Sequence, residues 1–475
     1  MQRATWIAAT ALALSACAVG PSYERPDTEL LHRFAGATDA AYTTQAVPSR
    51  FWTVFNDEVL TSLIEEAIAA NHDLRIAAAR FDEARALRRD AAFDFGPVIE
   101  ANGSVLRTRF SEVERPAGAA ANGTLDIHDA RFDATWELDA FGRVRRGYER
   151  RRAELESSVA SLQDALVTVT SEVARNYLEL RGLQGRYDVA KRNADVQENS
   201  LELTQARRNA GSGTDLDVAR AQSQLSTTLA TLPQLQAAMA RAQYRLAVLI
   251  GRQPGGLEAR LAFRPLPAMP AFTPVGNPAE WLRRRPDVRV AERDLAAATA
   301  GIGVAVGDLF PKVSLLGSFG STALASNQLG DAAAENYRFG PTISWAIFDL
   351  GHVRARIDAA RARADGALAR YEQSVLRALE DTEGALIAYS RAVEREAALD
   401  EAAHASTVAA QLAGVRYQEG VSDFLLVLDA ERTQLEAEDR LAQSRADSAT
   451  ALVAVYKALG TGWQDIATPY LAAKR

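Results

Sequence analysis

Cysteine is almost absent from this chain: one residue, Cys17, occurs among 475. Histidine is scarce as well, and its five residues are scattered along the sequence at positions 32, 72, 128, 352 and 404. Metal centres need several such ligands at close spacing. We therefore expect neither a metal site nor a bound cofactor.

Sequence motifs of catalysis are missing. The chain has no Walker A sequence, no His-Glu-x-x-His and no Gly-x-Ser-x-Gly. The glycines of "GIGVAVG", residues 301–307, are spaced wrongly for a dinucleotide loop. Carboxylates are abundant, but on helices of this type they usually form a solvated face. The sequence therefore predicts a protein that is not an enzyme.

An excess of positive charge and long apolar runs are lacking too. The formal net charge is −7, which argues against nucleic-acid binding because that needs a positive face. Beyond the N-terminus no stretch reaches the roughly 18 apolar residues of a membrane-spanning helix. The nearest one, Leu295–Phe310, contains three glycines and is followed by Pro311. A membrane role would have to come from β-strands or from a lipid.

The first seventeen residues have the order of an export signal. Arg3 precedes an apolar stretch, Ile7–Ala13, and the small residues Ser15 and Ala16 come directly before Cys17. A cysteine after Leu-Ser-Ala resembles a bacterial lipobox, which implies a signal peptide over residues 1–16 and diacylglycerol and palmitate on Cys17. Lipidation would remove a free thiol that is a liability under oxidising conditions. The alternative is an ordinary signal peptide with a chance cysteine.

Residues 17–54 are accordingly predicted to be a lipidated N-terminal extension. Ala18 follows the cysteine where other lipoproteins carry Asp, which resembles the sorting pattern of outer-membrane lipoproteins. We expect a protein of the cell outer membrane that is anchored by lipid and extends into the periplasm.

The remainder of the chain shows an internal duplication. Asp73 pairs with Asp287 at an offset of 214, and Trp136 pairs with Trp345 at an offset of 209. The change of offset falls where a loop can absorb it. We predict two copies of one unit, residues 55–253 and 277–462, with a Pro-rich linker over 254–276 and a tail over 463–475.

Each copy is predicted to contain a very long helix. From Arg143 to Ala210 there is no proline, and apolar residues recur at spacings of three and four, as in coiled coils. At 1.5 Å per residue such a helix is about 100 Å long. A shorter helix precedes it in each copy, from Asp73 to about Phe93 and from Asp287 to about Gly307. A coiled-coil hairpin that acts only as a spacer is the alternative.

Between the two helices of each copy lies a pair of strand-like segments; Phe132–Asp139 alternates strictly, whereas the segment before it, residues 97–110, alternates less cleanly. Phe132, Ala134, Trp136 and Leu138 share one face, and in the second copy so do Tyr337, Phe339, Ile343, Trp345 and Ile347. Such segments fit transmembrane β-strands, with Phe132, Trp136, Phe339 and Trp345 facing lipid, but they also fit half-buried soluble strands. Four strands cannot close a membrane barrel, whereas three chains would supply twelve.

The long helical stretch of each copy is interrupted once. In the first copy Gly211 ends a helix and Thr214 starts another, with Asp217 completing a near capping box. In the second copy Gly420 and Ser422 are predicted to do the same. Val421, Leu425 and Asp429 then follow at spacings of four, which predicts one face of the new helix.

Together these features resemble a known family. The lipobox followed by "AVGPSYERP", the duplicated unit and "RYQEGVSDFLLVLDAER" are similar to the TolC-like outer-membrane factors, in particular the OprM/NodT lipoprotein branch. The resemblance covers essentially the whole mature chain. It implies a mixed helix and sheet membrane protein: a homotrimer with a 12-stranded transmembrane β-barrel that continues into a periplasmic α-helical barrel.

The resemblance also implies a function and a gate. The family forms the exit duct of tripartite efflux systems and works with a periplasmic adaptor and an inner-membrane RND-type pump. Leu425 would form an apolar constriction and Asp429 a ring of three carboxylates. Leu426 stands where many relatives carry a second Asp, which favours a hydrophobic constriction that gates by dewetting. The duct of a type I protein secretion system and a coiled-coil lipoprotein scaffold without a pore are the alternatives.

Overall fold

The computed structural model describes residues 18–27, 34–36, 42–43, 45–113, 124–270 and 273–467. Cys17 lies outside the described residues, so its lipidation stays a prediction. The chain divides into two compact units. Unit 1 comprises Met1–Asp27, Arg80–Val159 and Val290–Glu372, and unit 2 comprises Thr28–Ala79, Ala160–Arg289 and Gln373–Arg475.

Eight α-helices and six β-strands occur in the described part of the chain. The helices are α1 (Glu58–Ala70), α2 (His72–Phe93), α3 (Arg143–Asn209), α4 (Asp215–Leu249), α5 (Pro278–Arg284), α6 (Pro286–Gly307), α7 (Leu350–Gln418) and α8 (Phe424–Ala458). The strands are β1 (Tyr42–Thr43), β2 (Val98–Arg109), β3 (Thr124–Leu138), β4 (Thr273–Pro274), β5 (Lys312–Ala323) and β6 (Glu335–Ser344). None of the described helices is long and apolar enough to cross a bilayer.

The predicted long helices are present with nearly the predicted bounds. Helix α3 has 67 residues and α7 has 69. Ion pairs one turn apart support the exposed side of α3, for example Arg150 with Glu154 at 2.9 Å and Arg152 with Glu156 at 3.0 Å. The shorter helices α2 and α6 begin one residue before the predicted positions, at His72 and Pro286.

Unit 1 contains a four-stranded antiparallel sheet in the order β2-β3-β5-β6. Phe132 on β3 lies opposite Ala101 on β2 and opposite Phe319 on β5, which in turn lies opposite Tyr337 on β6. Directly opposite residues share a face. The register therefore aligns the alternating patterns of all four strands, including β2, whose own alternation is weak in the sequence.

The two faces of this sheet differ in chemistry. One face is apolar over most of its length and includes Ile99, Phe132, Trp136, Leu138, Val313, Leu315, Phe319, Tyr337, Phe339 and Ile343. The other face is mainly polar and includes Glu100, Asn102, Ser104, Asp129, Arg131, Asp133, Glu137, Ser318, Thr322, Asn336 and Arg338. Charged side chains interrupt the apolar face near its ends, at Arg107 and Asp126 next to the β2–β3 loop, which form an ion pair at 2.6 Å, and at Glu335 at the start of β6.

One detail of the strand prediction is wrong. Strand β6 ends at Ser344, so Trp345 and Ile347 follow the strand rather than belong to it. The indole of Trp345 instead donates a hydrogen bond to the carbonyl of Leu309 at 3.0 Å, and Trp136 donates to the carbonyl of Phe95 at 3.0 Å. Each indole thus binds a backbone carbonyl that lies just after the helix preceding its strand pair, α2 for Trp136 and α6 for Trp345.

Unit 2 is built around the helices. Its core includes Phe51 and Trp52 from a short 3-10 helix, and Phe51 stacks on Tyr456 of α8 with ring centroids 5.4 Å apart. Helix α1 is buried along Leu60, Leu63 and Ile64 and is capped by Asp57, whose side chain accepts from the Leu60 amide at 3.0 Å. Sequence reasoning missed this helix, although the cap and the spacing of its apolar residues were available.

The duplication is visible in the backbone. Helices α4 and α8 each have 35 residues and begin 209 positions apart. Gly211 and Gly420 have φ of 75° and 72°, and Gly251 and Gly460 have φ of 73° and 65°. These left-handed conformations end the helices in both copies, which explains why glycine occupies equivalent positions.

Candidate functional site: the two helical turns

The first turn connects α3 and α4 in unit 2. After Asn209 the chain reverses at Gly211, and the Ser212 amide donates to the Arg207 carbonyl at 2.9 Å. Thr214 is the N-cap of α4: its hydroxyl accepts from the Asp217 amide at 3.2 Å, and the Asp217 carboxylate accepts from the Thr214 amide at 3.3 Å. This reciprocal pair is a capping box, as the sequence predicts.

The second turn connects α7 and α8 and follows the same course with a different cap. Gly420 is left-handed, and the Val421 amide donates to the Arg416 carbonyl at 2.9 Å. The N-cap is Asp423, whose carboxylate accepts from the Leu426 amide at 3.3 Å. The prediction that Ser422 starts this helix is wrong, because the cap is Asp423. Asp423 lies 209 positions after Thr214 and is therefore its equivalent in the second copy. The buried Ser422 hydroxyl has no hydrogen-bond partner among the described residues.

An arginine ties the two turns together. Arg207, in the last turn of α3, donates to the carbonyls of Tyr417 and Gln418 at 2.7 and 3.0 Å. Its guanidinium also lies over the Tyr417 ring, 4.2 Å from the centroid. A cation at the C-terminal carbonyls of a helix is favourable because those groups carry partial negative charge. Sequence reasoning missed this contact because it joins residues 210 positions apart.

Beneath the turns the four helix ends share an apolar cluster. Its buried members are Ala194, Leu201, Ala221, Leu225, Ala413, Tyr417, Phe424 and Val427. The rings of Tyr417 and Phe424 are 5.5 Å apart and connect the end of α7 to the start of α8. The cluster makes the two turns one packed body within unit 2.

A groove of about 450 Å³ runs beside this cluster, between α3, α7 and α8. Its walls include Val196, Leu203, Val415, Phe424 and Val427, and one carboxyl group, Glu431, lines it as well. Glu431 is buried and accepts a hydrogen bond from the Ser200 hydroxyl at 2.6 Å. Burial raises the pKa of Glu431 above its ordinary value, although the Ser200 hydrogen bond opposes the shift.

The residues predicted to form a gate are placed on the surface of the single chain. Leu425 is 50% exposed and lies one turn before Asp429 on α8. Val421 is 65% exposed, but it belongs to the turn, so the prediction that it shares a helix face with Leu425 and Asp429 is wrong. Asp429 is exposed and forms an ion pair with Arg432 at 2.8 Å.

The predicted lipid-facing aromatics are also exposed in the single chain. Phe132 is 60% exposed and Phe339 84% exposed, although both are large apolar side chains. Trp136 and Trp345 are 36% and 50% exposed, and their indole N–H groups donate the hydrogen bonds described above. In the described residues no group of three or more His, Cys, Asp or Glu side chains could hold a metal ion.

Comparison with known proteins identifies the class of this fold. The chain belongs to the outer membrane efflux protein family, whose model matches residues 63–252 and 277–461. It is an outer-membrane efflux channel protein with the TolC-like fold of mixed helices and sheet. The two matched segments correspond to the two halves of the duplicated chain.

Individual relatives are similar over nearly their full lengths. Nodulation protein T of Rhizobium leguminosarum bv. trifolii is 31% identical over 460 residues, 96% of this chain and 97% of that protein. Outer membrane protein OprJ of Pseudomonas aeruginosa is 30% identical over 96% of this chain and 95% of that protein.

Solved structures agree with this assignment. The outer-membrane channel OprN superposes with a TM-score of 0.89 and 45% identity over 94% of this chain and 100% of that chain. The open state of the Neisseria gonorrhoeae MtrE channel superposes with a TM-score of 0.80 and 30% identity over 94% of this chain and 99% of that chain.

The capping assignment can be tested by two neighbouring substitutions. Asp423→Ala removes the acceptor of the Leu426 amide and should cost about 1 kcal/mol of local helix stability. Ser422→Ala should change little, because its hydroxyl caps nothing. Amide exchange at Phe424–Val427 measures the difference, and faster exchange in Ser422→Ala than in Asp423→Ala would contradict the assignment.

Proposed function

We propose that this protein is the outer-membrane exit duct of a tripartite efflux system and works as a homotrimer. The observation that carries the proposal is the sheet of unit 1. In the described residues its outer strands, β2 and β6, have no strand partner on their free sides, and its apolar face is exposed. Unpaired backbone groups are not tolerated in hydrocarbon, so four strands cannot sit alone in a bilayer.

A barrel closed by three copies would pair the free edges of β2 and β6 and would also give the exposed apolar face a lipid environment. Three chains supply twelve strands, so that β6 of one chain pairs with β2 of the next, and barrels of this size are common. From Ala130 to Leu138 the apolar face of β3 covers about 27 Å along the strand at 3.4 Å per residue, which a tilt of about 40° reduces to about 21 Å of height, near the apolar band of about 25 Å of such barrels. The apolar face would then contact lipid, and the polar face would line the lumen.

The polar face supports this orientation. Asn102 donates to Asp133 at 2.7 Å, Arg131 contacts both Asp133 and Asp129, and Thr322 donates to Asp129 at 2.9 Å. These hydrogen bonds and ion pairs link β2, β3 and β5. Such a network is compatible with a water-filled lumen and would be expensive in lipid.

The partners follow from the same proposal. A duct of this kind works with a periplasmic adaptor and an RND-type inner-membrane pump, and the groove at the helical turns offers the adaptor an apolar surface with a buried carboxyl group. Relatives that are named as efflux pump outer membrane proteins favour efflux over type I protein secretion.

We further propose that Cys17 carries the lipid anchor.

The sheet orientation is tested by matched substitutions on one strand. Phe339→Lys places a charge on the proposed lipid face and should cost about 2–4 kcal/mol if the position is near the bilayer centre. Asn336→Lys places the same charge on the opposite face of β6 and should be tolerated. The yield of trimer in outer-membrane extracts measures both. Equal yields would reject the orientation, and a stable, monodisperse wild-type monomer in detergent would reject the shared barrel.

The gate is proposed at Leu425 and Asp429. In a trimer with α8 facing the axis, three Leu425 side chains would exclude water from a narrow section, and three Asp429–Arg432 pairs would lie one turn away. The resting channel should therefore conduct poorly. Opening would require the turns to separate, which the Arg207 contacts with α7 resist.

Single-channel recording in planar bilayers tests this arrangement. Leu425→Ser should raise the resting conductance because the constriction becomes wettable. Asp429→Ala should shift selectivity from cations toward anions, since it leaves the Arg432 charges unpaired. The two effects should be non-additive because the rings are neighbours. Wild-type currents in both variants would reject the gate and leave the trimeric duct standing.

Lipidation has its own test. The intact mass of the mature chain should correspond to residues from Cys17 onward plus a diacylglycerol and an acyl chain. Cys17→Ser should abolish this modification. A closed barrel is the stronger anchor, so the variant should still reach the membrane. An unmodified Cys17 in the wild type would show that the lipoprotein assignment is wrong.

A further inference from the structure

A cavity of about 720 Å³ lies within unit 2, between the Pro-rich linker and helices α7 and α8. Tyr42 of β1 and Met269 and Pro270 of the linker form one wall. The two helices form the other walls, with Glu396 on α7 and Ser448 on α8 among the lining residues. Pockets that bind drug-sized molecules have volumes of about 300–1,000 Å³, so the cavity is large enough for one.

The duplication shows that this cavity belongs to the second copy. Val393 lines it, and at the offset of 209 it corresponds to Gln184 on α3. Gln184 donates to the carbonyl of Leu261 at 2.8 Å, and nearby Arg181 donates to the carbonyl of Ala262 at 2.7 Å. Leu261 is fully buried. The helix surface that the chain's own linker covers in the first copy therefore forms the wall of a cavity in the second.

The acidic lining is also specific to the second copy. Three carboxyl groups line the cavity, those of Glu394, Glu396 and Asp400. Their counterparts at the offset of 209 are Gly185, Tyr187 and Lys191. The equivalent helix surface of the first copy thus carries no carboxyl group at these positions and has one positive charge instead.

One of the three carboxylates is left over when the ion pairs are assigned. Asp400 pairs with Arg445 at 2.7 Å, and Glu394 accepts from Arg391 at 2.6 Å. Glu396 is half-buried and forms neither an ion pair nor a hydrogen bond with any residue that the structure describes. The wall of the cavity therefore carries a negative charge without a partner, which favours a cation in the cavity.

Two tyrosine rings lie next to this charge. The ring centroids of Tyr42 and Tyr389 are 6.4 Å apart; the Tyr42 hydroxyl donates to the Leu386 carbonyl at 2.7 Å, and Tyr389 is hydrogen-bonded to Thr273. Burial raises the pKa of Tyr389 above its ordinary value, and the Glu396 carboxylate adds to the shift although the Thr273 hydrogen bond opposes it. Tyr389 is therefore neutral at neutral pH, and the face of a neutral aromatic ring attracts cations.

A buried hydroxyl completes the lining. Ser448 is fully buried, and its Oγ has no hydrogen-bond partner among the described residues. A buried polar group without a partner is costly and rare, so such a group indicates a bound water or ligand. Because Ser448 lines the cavity, an N–H donor of an occupant would satisfy it. Its counterpart in the first copy is Met239, which has no hydroxyl.

We propose that this cavity is a binding site for a small organic cation, an amine or a guanidine on an apolar body. The cationic group would bind Glu396 and the Tyr389 ring, and the Ser448 hydroxyl would accept one of its N–H groups. The apolar body would contact Val393 and the linker. The site lies outside the proposed gate, because about 20 residues of α7, or about 30 Å, separate Asp400 from the turn.

Calorimetric titration of the full-length protein in detergent tests the charge. The probe is 1-naphthylmethylamine, which is a cation at neutral pH, and 1-naphthalenemethanol is its neutral analogue. The amine should bind at least about tenfold more tightly than the alcohol, because it gains a charge-assisted hydrogen bond. Glu396→Gln should weaken binding of the amine at least about tenfold. Glu401→Gln is the matched control, since Glu401 is exposed on the same helix and does not line the cavity.

Filling the cavity tests its position. Ala397 lines the cavity and the next residue, Ala398, does not. Ala397→Trp should abolish binding of the amine, whereas Ala398→Trp should leave it unchanged; circular dichroism and oligomer size report that both variants fold. The proposal would be overturned by a wild-type protein that does not bind the amine, by equal affinities for amine and alcohol, or by equal affinities of the two tryptophan variants.

The chain's own cations are a competing occupant. The segment after α8 is the counterpart of the linker that covers α3, and residues 468–475, which lie outside the described residues, include Lys474 and Arg475. A chain shortened by residues 468–475 should bind the amine with the wild-type affinity. At least about tenfold tighter binding after shortening would show that this segment occupies the cavity, and would overturn the proposal of a small-molecule site.

Discussion

A β-sheet leaves unpaired N–H and C=O groups along its outer strands, and the sheet of unit 1 does so at β2 and β6 while exposing a face of Phe, Trp, Tyr, Ile and Leu. In water this combination favours aggregation, and in lipid it is not tolerated unless the edges are paired. The proposed trimer follows from this constraint, because copies of the same sheet can pair the edges and bring the apolar faces to the outside. The proposed lumen and lipid position depend on that closure.

The duplication gives the chain a repeated scaffold, and the differences between its copies carry the specialised contacts. Equivalent turns are capped by Thr214 in one copy and Asp423 in the other. Asn71 donates to the carbonyl of Leu249, while the equivalent Arg285 donates to the carbonyl of Ala458 and forms ion pairs with Asp287 and Asp381. Arg146 and Gly303, which contact Val19 and Gly20, likewise differ from their counterparts Ala355 and Arg89 in the other copy.

At the helical turns the interactions are of two kinds. The apolar cluster around Tyr417 and Phe424 holds the four helix ends together within one chain, and Arg207 adds hydrogen bonds that can be exchanged for water. Leu425 and Asp429 lie outside this cluster and are exposed. A surface of this kind can be rearranged by a partner without unfolding the helices, because the packing below it does not depend on those two side chains.

Local patterns of the sequence predict much of this architecture. The long helices, the four strands, the glycines at the turns and the Thr214 capping box depend on spacings of two to four residues, which a single chain displays directly. Helix α1 could have been found in the same way from Asp57 and the spacing of Leu60, Leu63 and Ile64. The Asp423 cap was also within reach, since the offset of 209 equates it with Thr214.

Other features could be decided only by the tertiary structure. The order and register of the strands, the position of Trp345 beyond β6, the Arg207 contacts and the docking of residues 18–25 join groups that are far apart in the sequence. Val421 lies in the turn because two further residues are needed after Gly420 before a side chain can cap the new helix. Local periodicity determines which face of an element is apolar, but the partner of that face depends on how distant segments pack, and no spacing within one segment encodes that.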